Sequence, residues 1–162
     1  MTLGAGSPTI SYLGNGSVNT YSFPYSVFLA SHLTITVNGP TANYLLVLNT
    51  DYTVTGLSPN GSPAQSGSIT LVNAGQAWLT GGNLSTGFTI TIQRILPIVQ
   101  NTSVRNQGDF YPATLEDAYD YITMILQQLN SFQQNPIYTD IVTGFTYQIV
   151  FVNGVLSQQR LT

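Results

Sequence analysis

RNQGDFYPATLEDAYDYITMILQQL, residues 105–129, is the only long helix-like segment in a chain that otherwise reads as short strands separated by Gly, Asn, Ser and Pro. Pro112 and Thr114 supply a helix start. Thr114 followed by Asp117 resembles a capping box with a shorter acid, and Glu116 and Asp117 stand where the helix dipole favours negative charge. The helix is expected to end at about Phe132 or Gln134, because Pro136 disfavours helical geometry in the residue before it. Its apolar positions, Leu115, Ala118, Ile122, Ile125, Leu129 and Phe132, recur at alternating intervals of three and four residues, which is a heptad seam. Such a seam has two possible destinations. It can pack on the chain's own sheet, or it can fill the a and d positions of a short parallel coiled coil, where Ile at both leans toward trimers. Tyr119, Tyr121 and Leu126 flank the seam and would widen the stripe toward contact with a β unit as well.

Upstream of the helix, VNTYSFPYSVF (18–28), LTITVN (33–38), YLLVLN (44–49), DYTVTG (51–56), GSITLV (67–72) and GFTITIQRILPI (87–98) read as strands. The linkers between them are dense in Gly, Pro and Asn. Downstream, FTYQIVFV (145–152) and VLSQQRL (155–161) flank Asn153-Gly154, the two-residue turn with the strongest preference for a hairpin. The expected fold is mainly β: an antiparallel β-sandwich or open barrel, then one amphipathic, trimeric coiled-coil-like α-helix, then a C-terminal β-hairpin. The expected divisions are a β-rich docking domain at 1–104, a loop and oligomerising helix at 105–135, and a hairpin segment at 136–162.

Composition narrows the function. Only 6% of the 162 residues are charged, there is no lysine, and Arg94, Arg105 and Arg160 are the only cations apart from His32. An ordinary soluble chain carries about 25% charged residues, so this surface must be built from neutral polar groups. A surface that neutral suits an assembled particle. The net charge of −3 and the absence of a basic run argue against nucleic acid as a partner. No apolar run approaches a membrane span and Met1 is not followed by a signal-like segment, so a chain made in the cytoplasm and not inserted in membrane is expected. The lack of cysteine removes disulfides, thiolate metal sites and cysteine nucleophiles.

Catalytic constellations are equally sparse. His32 is the single histidine, and a structural role at the start of a strand suits it better than a triad. Glu116 and Asp120 share a helix face at four-residue spacing, but dipole complementarity and a solvated face explain them more simply than glycoside hydrolysis. Asp51 and Asp140 read as turn or strand-edge residues. The glycine-rich pieces lack a phosphate-binding pattern. No cofactor, metal site or catalytic residue is expected, and the protein reads as non-enzymatic. Ten tyrosines and Trp78 leave open a carbohydrate-binding module at a host surface, although strand aromatics are more often core.

The run from Asp51 through Leu129 also resembles a known family, the N-terminal virion-attachment regions of tail fibres, tailspikes and related small tail proteins of short-tailed bacteriophages. There a strand like TITIQR is followed by a Gln- and Gly-containing loop and a helix of a characteristic form. Here these are Gln100 to Thr102, Gln107 to Phe110, Pro112, Glu116 to Ala118, Asp120, Thr123, Met124 and Gln127 to Leu129. The resemblance implies a homotrimer in the virion tail, with the β domain docked on other tail or connector proteins and the helix starting a stalk. It implies that Gln107, Gly108, Asp109, Phe110 and Tyr111 order the strand-to-helix junction, with Phe110 or Tyr111 as anchor, although a plain interdomain turn serves equally. Fibres and spikes usually continue far beyond such a helix, whereas this chain stops about 30 residues later. A complete short fibre or tail adaptor is therefore expected, with no room for a polysaccharide-degrading domain.

Overall fold

The computed structural model describes residues 7–58, 63–64, 66–72, 75–100, 112–134, 137–139, 146–152 and 155–160, with side chains described as far as Ser131. Its elements in chain order are β1 (Thr9–Leu13), β2 (Thr20–Phe23), a 3-10 turn (Ala30–His32), β3 (Leu33–Asn38), β4 (Asn43–Leu45), β5 (Tyr52–Thr55) and β6 (Gly67–Leu71). Then come β7 (Leu79–Thr80), β8 (Asn83–Leu84), β9 (Thr89–Arg94), α1 (Pro112–Gln134), β10 (Ile137–Thr139), β11 (Thr146–Val152) and β12 (Val155–Arg160).

Period-two alternation puts every second residue of a strand on one face, and two sheets turn their apolar faces to a shared core. The first has the order β1-β9-β3-β4 and the second β2-β6-β5, with antiparallel pairing throughout. The register sets Val37 opposite Ile90 and Ile35 opposite Ile92, all four fully buried. Facing them in the same cluster are Tyr21 and Phe23 of β2, Tyr52 of β5, and Ile69 and Leu71 of β6. Each such side chain stabilises the fold by about 1.5–3 kcal/mol through removal from water. Among the described residues the molecule is mainly β, with one α-helix, and the seven strands of these two sheets form a sandwich around one core.

Several elements depart from their expected lengths. β2 stops at Phe23 because Pro24 has no N–H to continue a ladder, and the expected strand at 18–28 survives beyond it only as an isolated bridge from Val27 to Ala64. The run at 44–49 is strand only to Leu45. Beyond it the Asp51 carboxylate accepts hydrogen bonds from the Val47 N–H (2.7 Å) and from Gln76 Nε2 (3.1 Å), closing a turn in which Asn49 takes φ 64°. Asp51 is thus the turn residue its position suggested. β1 pairs with β9 from Thr9↔Gln93 to Leu13↔Thr89, a strand absent from the expected set although TISYL alternates, with Ile10 and Tyr12 toward the core.

The helix begins at Pro112, where the missing N–H costs nothing. That start places Thr114 inside the first turn, not at the cap, and moves Glu116 and Asp117 beyond the first turn, which holds no acidic residue. The C-terminal hairpin forms as β11 and β12, closing at Val152↔Val155, and β10 adds a third antiparallel strand from Ile137↔Gln148. Asn153, Gly154 and Asp140 lie outside the described residues.

Candidate functional site

The inward row of β9 runs Ile90, Ile92, Arg94, so strand alternation alone carries a guanidinium into a core position opposite Leu33. Arg94 is 1% exposed. Its Nη1 donates to the Ser26 carbonyl at 2.7 Å, and its Nη2 donates to Gln127 Oε1 at 3.0 Å and to the Met124 carbonyl at 3.4 Å. The Tyr25 ring lies 5.9 Å from the guanidinium carbon, within cation–π range. Burial lowers the Arg94 pKa from its ordinary value, an effect that Tyr25 opposes. Burial also raises the Tyr25 phenol far above its usual range, and its hydroxyl donates to the Ile92 carbonyl at 2.8 Å. One cation therefore ties the central strand, the segment after β2 and the helix together.

A second clamp lies one turn along. Gln128 presents its amide to the backbone of Leu96 as a neighbouring strand would: Leu96 N–H donates to Oε1 at 2.7 Å, and Nε2 donates to the Leu96 carbonyl at 3.3 Å. Tyr121 donates its hydroxyl to the Pro97 carbonyl at 2.7 Å and sets its ring against Phe28 at 5.6 Å and His32 at 6.3 Å. Leu96, Tyr121 and Met124 form a small buried cluster, with Phe28 and Ile125 packed on it. Tyr121 is thus the flanking residue that reaches the β unit, while Tyr119 and Leu126 stay 61% and 60% exposed.

At ~100° per residue, the buried Asp120, Tyr121, Met124 and Gln128 share one face of α1. The heptad seam lies roughly 120° round the same helix. Ile122 and Leu129 are exposed, at 54% and 40%, and Leu115, Ala118 and Ile125 are half-buried. The side chain of Phe132 and the whole junction loop, Gln107, Gly108, Asp109, Phe110 and Tyr111, lie outside the described residues. The two destinations of the seam are therefore not exclusive: a neighbouring, more polar face of the helix carries the hydrogen bonds to the sandwich, Ile125 of the seam packs beside it, and Ile122 and Leu129 stay exposed. Between the seam and the segments Phe28–His32 and Ile98–Gln100 runs an apolar groove of about 850 Å³.

His32 lines that groove and is itself buried, with Nδ1 lacking a hydrogen-bond partner. Burial pushes its pKa below the ordinary 6.5. The unfolded chain thus takes up a proton at a higher pH than the folded one, so the stability from burying neutral imidazole is complete above 6.5 and is lost as pH falls through the lowered value. We expect the urea midpoint to drop between about pH 7 and pH 5, and His32→Phe to flatten that slope. Parallel slopes in both proteins would remove His32 as the cause.

Sequence reasoning missed Arg94, Tyr121, Gln127 and Gln128 as a unit. One signal was present, the in-phase position of Arg94 after Ile90 and Ile92. Several residues that carry the family resemblance, among them Asp120, Met124, Gln127 and Gln128, lie on or beside the face that grips the sandwich.

No family model matches the sequence. Over 122 residues, 75% of its length, the chain is 35% identical to the tail spike protein of Salmonella phage epsilon15. The matched part makes up 10% of that protein, so the chain spans about a tenth of the length of the curated relative it matches.

Proposed function

Because the chain is a phage tail spike-related protein, we propose that it is a structural component of a bacteriophage tail, a short fibre or an adaptor, that docks through its β unit and trimerises through α1. Residues 1–104 form the docking unit on the tail or connector, 105–135 the junction and oligomerising helix, and 136–162 the C-terminal segment. The observation that carries this reading is the division of labour on α1, whose polar face is occupied by its own sandwich while Ile122 and Leu129 of its apolar heptad seam stay exposed and Leu115, Ala118 and Ile125 are only half-buried. Burying that seam contributes roughly 25 cal/mol per Å², and such a contact is insensitive to salt because screening acts on charge.

Two observations weigh against the rival readings. Trp78, Phe23, Tyr21, Tyr25 and Tyr52 are all in the core, so they are not free to stack on a sugar. Neither Glu116 nor Asp120 lines the groove beside α1, which disfavours a carboxylate pair working together on a glycosidic bond there.

Light scattering across a range of concentration and salt tests the proposal. The expected mass is three times the 17.5 kDa chain, with no change in high salt. A single-chain mass at every concentration would remove trimerisation through α1.

A further inference from the structure

Two exposed apolar features flank the α1 seam on opposite sides. On one side, the groove wall presents Leu29 (52% exposed), Ile98 (69%) and Val99 (53%). On the other side stands Leu126, which lies roughly 100° round the helix from Ile125 and takes no part in lining the groove. We propose that Leu126 of each chain seats in the groove of the neighbouring copy, against Leu29, Ile98 and Val99. The β unit of one chain then holds the helix of the next. This inference rests on the trimeric reading above and adds to it a specific contact between the sandwich of one copy and the helix of another.

Geometry selects a second copy as the occupant. A knob on one flank and a hole on the other make a heterologous contact, and repetition around a closed ring uses both in every copy and leaves neither in water. A coiled coil made by the seam alone would leave Leu126, Ile98 and Val99 solvated. The surface is also large enough. Tyr119, Ile122, Leu126, Leu129, Leu29, Ile98 and Val99 together expose on the order of 700 Å² per chain, close to the ~800 Å² per partner of a stable interface. Charge complementarity makes no competing demand, because among the described residues His32 and Asp117 are the only ionisable groups of the lining apart from tyrosines. Copies of a chain with 6% charged residues meet little like-charge repulsion.

The native sequence has no cysteine, so Val99→Cys and Leu126→Cys can be introduced singly and together in the full chain and oxidised at low protein concentration. The double variant is expected to give mostly a covalent species of three chains. An equimolar mixture of the two single variants is expected to give covalent dimers, and each single variant alone almost none. A native mass of three chains with no covalent product specific to the pair would overturn the contact and leave the trimer standing. A native mass of one chain would overturn both, and equal cross-linking by either single variant would overturn the pairing of these two flanks.

Discussion

Arg94→Ala is expected to destabilise the protein by about 3–5 kcal/mol, since it opens a cavity in the core and strands the Ser26 carbonyl that the guanidinium serves. Two effects compete in this substitution. Removing a buried cation relieves its desolvation, yet that relief comes with the loss of the Gln127 and Met124 contacts and of packing on Tyr25. The partners are neutral acceptors arranged to suit a planar fork, so Arg94→Lys should recover less than half of the loss. For a chain of this size the Tm falls by roughly 2–4 °C per kcal/mol, and urea unfolding followed by circular dichroism gives the free energy directly. A change below about 1 kcal/mol would mean that Tyr121 and Gln128 suffice to hold the helix.

Leu129→Asp is expected to abolish the proposed trimer while leaving the sandwich folded. At a threefold axis the substitution brings three carboxylates together in an apolar seam, at a cost of several kcal/mol per assembly. In the single chain Leu129 is 40% exposed and belongs to neither core cluster, so the thermal transition of an isolated copy should move little. Light scattering separates the outcomes. An unchanged three-chain mass would reject the seam, whatever else holds the copies together.

Much of the backbone plan was legible because it follows local rules. β3 occupies the six residues from Leu33 to Asn38 that its alternation indicated, and α1 ends at Gln134, where Pro136 required it to stop. The clamp was harder to read for a physical reason. Arg and Gln are ordinarily surface residues, so a Gln pair on a helix reads as solvated face until a strand exit with unpaired backbone groups is set against it. Only tertiary contact reveals that Gln128 completes the hydrogen bonding of Leu96. The seam was visible in spacing. The exposure of Ile122 and Leu129 was not, because an apolar stripe reads alike whether it meets its own sheet or another copy.

The position of β9 has a mechanical consequence. This strand, from which the chain leads on toward the helix, is one of the two inner strands of its sheet, paired with β1 along one edge and β3 along the other. Tension on the C-terminal segment is thus delivered to a strand that can slide only if both ladders shear together, with many hydrogen bonds strained in parallel. An edge strand would instead peel away one bond at a time. Arg94 and Gln128 shorten the lever further by coupling the helix to the root of that strand, so a tug on the far end pulls on the whole sandwich and not on a hinge.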